Sequence, residues 1–167
     1  WSLTPGYRSR YGGYLLSTYQ YQVLTNLTAD LNFDYRTRRG IGVGPDFSYD
    51  LGQYGTGETK SYYLHDDIPG FDSVGSRISP NRYRLQMNHR VAIRTNITAK
   101  LSLNKLSDPN INRDFFEADH RRNTQPRSFL EVEQLGDNFS LSLLAQPRVN
   151  DFYERIERLP EVKLSAF

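Results

Sequence analysis

The stretch Asn26-Leu27-Thr28-Ala29-Asp30-Leu31-Asn32-Phe33-Asp34-Tyr35-Arg36 alternates polar and apolar residues without a break. Successive side chains of an extended chain point to opposite faces, so Leu27, Ala29, Leu31, Phe33 and Tyr35 share one side of a strand. The other side carries Asn26, Thr28, Asp30, Asn32, Asp34 and Arg36, none of them apolar. The same rule extends in both directions. Ile41, Val43, Pro45, Phe47, Tyr49 and Leu51 oppose Gly42, Gly44, Asp46, Ser48 and Asp50. Tyr83, Leu85, Met87, Val91 and Ile93 oppose Arg82, Arg84, Gln86, Asn88 and Arg90, with His89 the one misfit. Residues 97–104 and 139–146 repeat the alternation. Weaker candidates at 11–22, 58–65, 127–135 and 161–167 bring the expectation to about nine strands, mostly of the roughly 9 to 11 residues that cross a bilayer at a tilt.

Short connections near 23–26, 94–96 and 136–138 alternate with long ones at 66–80, 107–126 and 147–160, and no useful amphipathic helix interrupts them. Short turns on one side and long loops on the other are the rhythm of outer-membrane barrels. Thr25-Asn26-Leu27-Thr28-Ala29-Asp30-Leu31 recurs as Thr95-Asn96-Ile97-Thr98-Ala99-Lys100-Leu101, which reads as a reused hairpin. Asn suits such a turn because it tolerates positive φ. Both segments, and Asn138-Phe139-Ser140, match a glycosylation acceptor pattern, but turn chemistry explains them without a sugar.

Composition closes off other classes. No run approaches the roughly 18 to 20 apolar residues that a spanning helix needs. The opening Trp1-Ser2-Leu3-Thr4-Pro5 carries no secretory signal. With no cysteine there is no disulfide, thiolate metal site or cysteine nucleophile, and redox compartment stays open. The 21 basic and 19 acidic residues leave a net +2, which is no footprint for nucleic acid. A soluble antiparallel sandwich would also alternate. Strand length, Tyr35, Tyr49, Tyr62, Tyr63 and Tyr83 near strand ends as outward-facing interfacial aromatics, and a polar side too charged for a closed core favour a membrane sheet instead.

Between Asp34 and Asp67 the wording becomes specific: Asp34-Tyr35-Arg36-Thr37-Arg38-Arg39-Gly40-Ile41-Gly42-Val43-Gly44, Phe47-Ser48-Tyr49, and Tyr63-Leu64-His65-Asp66-Asp67. Leu106-Ser107-Asp108-Pro109 with Asp114-Phe115, and Glu157-Arg158-Leu159-Pro160, continue it. Along nearly the whole chain this resembles the barrel of the lipopolysaccharide-assembly outer-membrane protein family, LptD, also called organic solvent tolerance protein. The resemblance implies an all-β, antiparallel transmembrane β-barrel fragment. It would hold the first eight or nine of about two dozen strands and be an open sheet on its own. It also implies that residues 1–10 are a linker from a periplasmic jelly-roll domain, that residues 11–167 begin the barrel, and that the remaining strands and the family's inter-domain cysteines lie elsewhere.

The implied function is insertion of lipopolysaccharide into the outer leaflet of a Gram-negative outer membrane through a laterally gated barrel. Expected partners are lipopolysaccharide, outer-membrane lipid, a plug lipoprotein similar to LptE and the periplasmic bridge proteins, with no nucleic acid, no cofactor and no enzymatic activity. The lumen would be lined by Asp30, Asp34, Arg36, Asp46, Asp50, Arg82, Arg84, Arg90 and Lys100, where arginine suits phosphate through its bidentate fork. The lateral-gate strand would carry Gly12, Gly13, Ser17 and Tyr19. Well-known members weaken their first two strands with prolines, whereas the aligned positions here are Ser17 and Phe33, which leaves Gly12 and Gly13 to loosen the gate. Orientation is in conflict: loop length makes the 23–26 turn periplasmic, while a first strand rising from a periplasmic domain makes it external, unless another strand precedes residue 11.

Three other readings compete. A generic porin would use the charged lumen to select solutes, and a soluble sandwich would be a binding module. A barrel hydrolase would draw on His65-Asp66-Asp67 or Asp119-His120, although neighbours along a strand point apart. Asp108, Asn110, Asn112, Asp114 and Asp119 echo a calcium loop, but Arg113 stands where the sharp turn wants Gly and an Asp replaces the closing Glu.

Overall fold

The computed structural model describes residues 1–154 and 156–166 and contains one ten-stranded antiparallel sheet in which the strands lie in chain order. The strands are β1 (Ser2–Arg8), β2 (Gly12–Leu24), β3 (Leu27–Arg36), β4 (Gly40–Asp50), β5 (Thr56–His65), β6 (Asn81–Arg94), β7 (Ile97–Leu106), β8 (Phe129–Leu135), β9 (Phe139–Gln146) and β10 (Arg158–Ala166). A 3-10 turn, Gly52–Tyr54, joins β4 to β5, and two short helices, α1 (Ile111–Phe115) and α2 (Glu117–Arg122), lie between β7 and β8. An all-β antiparallel open sheet is therefore what the alternation encodes.

The residues expected to be a linker are in part a strand. Ser2–Arg8 pairs with Thr18–Gly12, because β2 is 13 residues long and its first half offers free backbone groups that must find partners. Alternation missed this strand, since Pro5 and Gly6 interrupt its pattern. The long loop 107–128 likewise holds two short helices where none was expected. They carry Glu117 and Asp119 in the first turn of α2 and His120, Arg121 and Arg122 in its last, the charge order that the helix dipole favours.

The connections sort by end. Those after β2, β4, β6 and β8 are short, and the long ones, after β5, β7 and β9, all lie at the opposite end with the tight turns after β1 and β3. The repeated Thr-Asn turn is a repeated hairpin, with the same register shift on the entering strand, at Gln22/Leu24 and at Ala92/Arg94. Asn26 and Asn96 do not use the left-handed backbone, because no described residue other than glycine has positive φ. A bulge adds local twist, so Val23 and Ile93, left out of register, supply the twist that a left-handed turn would otherwise provide.

Pairing carries the two faces across the sheet. One row runs Phe33, Val43, Tyr63, Tyr83, and its neighbour on the opposite face runs Asp34, Gly42, Leu64, Arg82. The apolar face is open: Leu31, Phe33, Tyr35, Ile41, Val43, Tyr63 and Tyr83 are all exposed. Tyr62 corrects the expectation that it points outward. It lies on the polar face and is buried, while its neighbour Tyr63 takes the apolar side. The small buried cluster, Tyr11, Tyr62, Leu64, Leu106, Ile111, Phe115 and Tyr153, sits where the 107–128 loop folds onto the polar face.

Candidate functional site

The loop folds over because its first residues start a helix aimed at the sheet. Asp108 accepts a hydrogen bond from the Asn110 backbone N–H at 2.9 Å, and Ile111 and Phe115, four residues apart, share the buried side of α1. Beneath them an ion-pair network joins β3, β5 and β6 to the loops. Arg82, with no exposed surface, donates from Nε and Nη2 to both oxygens of Asp108 at 2.9 and 2.7 Å. Its Nη1 reaches Asp66 and Asp114, each at 2.9 Å. Arg39 grips Asp66 with two hydrogen bonds of 2.7 and 2.6 Å. Arg36 donates to Asp34 at 3.0 Å and to the Tyr62 hydroxyl at 2.8 Å, Tyr62 donates to Asp34 at 2.7 Å, and Arg84 donates to Asp119 at 2.8 Å.

Aromatic faces complete it. Phe115 lies within 4.7 to 5.2 Å of the guanidinium carbons of Arg36, Arg39 and Arg82, and Phe116 is 3.2 Å from that of Arg84. Desolvated cations over aromatic rings are each worth on the order of 2 kcal/mol. Two glycines make room. A Cβ on Gly42 would collide with the Tyr62 ring that crosses it to reach Asp34, and Gly40, at φ +84°, brings the 37–39 turn against the His65 carbonyl so that Arg39 meets Asp66. Burial alone would raise the Asp66 carboxyl, but the hydrogen bonds from Arg39 and Arg82 outweigh it and hold its pKa below the ordinary value.

This network corrects part of the expected wet wall. Asp34, Arg36, Arg82 and Arg84 lie on the expected face but are buried under the loop, since paired charges can leave water and unpaired ones cannot. Asp30, Asp46, Asp50, Arg90 and Lys100 lie on the same face nearer the short-turn end, partly or fully exposed. Lys100 pairs with Glu131 at 3.0 Å, and Asp46 accepts the Ser61 N–H at 3.1 Å beside Pro45, which has no N–H of its own to give the ladder. Arg39, Asp66, Asp108, Asp114 and Asp119 were not among the expected wall residues. Their signal lay in spacing read otherwise, as a calcium loop or acid–base pairs.

The carboxylates of those readings are engaged elsewhere. Among the described residues no cluster of His, Asp and Glu is arranged to hold a metal ion, and the carboxylates of Asp108, Asp114 and Asp119 are taken by arginines. His65 bonds Asn81 at 2.8 Å, while its neighbour Asp66 turns to the arginines. The residues expected on a gate strand, Gly12, Gly13, Ser17 and Tyr19, lie on the second strand of the sheet. Gly12, Gly13 and Ser17 lie on β2 and pair on one side with β1, which covers Gly12–Thr18 and leaves Tyr19 free on that side. The sheet edge is β1, and it carries Pro5. Ser17 accepts the Trp1 indole N–H at 3.1 Å. No protein-family model matches the chain, and no curated protein matches it significantly.

Proposed function

We propose that this chain is the first part of a large outer-membrane β-barrel of the lipopolysaccharide-assembly class, which passes lipopolysaccharide to the outer leaflet through a lateral opening at β1. The carrying observation is the division of the sheet. Ten strands leave their apolar face exposed and fold a loop onto the polar one, with the outer edges of β1 and β10 unpaired by any described strand. In water so broad an apolar surface is unfavourable at roughly 25 cal/mol per Å². Facing lipid it is not. Open edges in hydrocarbon require further strands.

Two features support the orientation and the gate. With β1 in place the chain rises from the short-turn end, so short periplasmic turns and a first strand entering from the periplasm agree. Tyr63 and Tyr83 pair directly near the long-loop end, and Tyr49 lies six residues from Val43, the Tyr63 partner. At about 3.4 Å per residue that is about 20 Å along the strand, the scale of an apolar band between aromatic girdles. Pro5 cannot donate to a ladder, which suits an edge strand meant to part from its neighbour.

On this reading the polar face meets the saccharide and a plug lipoprotein, and periplasmic bridge proteins deliver the substrate from below. The test is photo-cross-linking in Gram-negative cells from Leu3 and Tyr7 of the full protein. Lipopolysaccharide adducts there, with loss of new lipopolysaccharide from the surface on depletion, are the expected result. Steady ion conductance in planar bilayers without adducts would replace the reading with a diffusion channel.

A further inference from the structure

Below the folded loop a polar cavity of about 340 Å³ lies between the β5–β8 wall and α2. It opens into a wider trough of about 870 Å³ on the short-turn half of the same face, for Glu58, Asn88, Ser102 and Phe129 line both. Apart from Asp119, its charged groups lie outside the network above it. Asp119 is held by Arg84, and Glu58 pairs with Lys60 at 3.4 Å. Arg122 and Arg127, both exposed, line the cavity, and neither guanidinium has a hydrogen bond or ion pair among the described residues. Amides surround them: Gln86 on the wall, and Asn112 in the roof, whose buried Oδ1 has no donor among the described residues. Phe129 adds an aromatic surface.

We infer that this cavity binds an acidic saccharide, one carrying phosphate or carboxylate, with Arg122 and Arg127 on the anion, Gln86 and Asn112 on hydroxyls, and Phe129 beneath a sugar ring. Two free forks select a planar or tetrahedral anion. Side-chain amides donate and accept at once, as sugar hydroxyls require. The inference rests on the proposed function for the direction of approach: a substrate rising from the short-turn end traverses the trough and meets this cavity before the buried arginines. The site is thus distinct from Arg82, whose donors are taken by carboxylates, and from Arg84, which is buried against Asp119 and the Phe116 ring.

The experiment uses the full protein in detergent with a deacylated, phosphorylated lipopolysaccharide core oligosaccharide as probe, its enzymatically dephosphorylated form as control, and binding followed by fluorescence. Arg122→Gln with Arg127→Gln, both exposed and outside the packed cluster, should weaken the phosphorylated probe by about tenfold or more and leave the dephosphorylated one nearly unchanged. Arg148→Gln, a cation in another loop, should change neither. Equal binding of the two probes, or no change in the double variant, overturns the inference. Repeating the titration with intact lipopolysaccharide and with a lipid-free acidic polysaccharide separates the two sources of such a ligand. Should the probe bind as expected while cells lacking the protein still export lipopolysaccharide, the site stands and the transport reading falls. Should export depend on the protein while the probe fails to bind, the transport reading stands and the site falls.

Discussion

Arg82 makes contact with three carboxylates from two separate loops and has no exposed surface, so it concentrates the connection between sheet and loops in one side chain. Arg82→Ala leaves Asp108 buried without a cation and takes from Asp66 and Asp114 one of the arginines that hold them, a loss of about 3 to 5 kcal/mol. The expected outcome is rapid proteolytic cleavage within 107–128 while the strands persist; an equally protected loop would show that the network does not hold it. The pH dependence follows from Asp66. Its pKa is lowered on folding, so its contribution is complete above the ordinary carboxylate range and disappears as pH falls through the lower, folded value. Hydrogen exchange of 107–128 should therefore rise only on acidification below that ordinary range. Asp66→Asn should make the loop less protected at neutral pH and flatten its response to acid.

Elements here are completed by side chains where strands run out. β8 pairs with β7 only as far as Ser102, so the last residues of β7 lack a strand neighbour on that side. The Asn150 amide stands in for one, accepting the Leu106 N–H at 2.9 Å and donating to the Asn104 carbonyl at 2.7 Å. Ser128 Oγ accepts the Asn104 N–H at 2.9 Å. Replacing Asn150→Ala leaves the Leu106 N–H buried without a partner, at about 1 to 3 kcal/mol, and the Asn104 carbonyl with only the Ser128 hydroxyl at 3.4 Å. Exchange at the Leu106 amide should accelerate by at least an order of magnitude while Leu101, within the paired region, stays unchanged. Uniform acceleration of both would point to general unfolding instead.

The molecule as a whole presents its apolar residues outward and its charged ones toward a covering loop. Leu31, midway along β3 and half exposed, is paired between Tyr19 and Pro45. In the full protein, Leu31→Arg should hinder insertion into lipid vesicles by about 2 to 4 kcal/mol, whereas Asn32→Arg on the other face should matter far less. Equal effects from both, or normal folding of Leu31→Arg without detergent or lipid, would argue that this face is not turned to hydrocarbon.

Alternation by itself determined where nine of the strands lie and, in the five with the clearest period, which face their residues take, because side-chain direction in an extended chain is a local, period-two property. From Leu27 to Arg36 nothing had to be known beyond the order of residues. It did not disclose β1, where Pro5 and Gly6 mask the period, nor that Tyr62 rather than Tyr63 turns inward, since adjacent aromatics give no parity of their own. Tertiary structure alone decided that Arg82 is dry and Arg127 is free. That difference depends on where residues 107–128 come to rest, and only a partner distant in sequence makes burial of a charge tolerable.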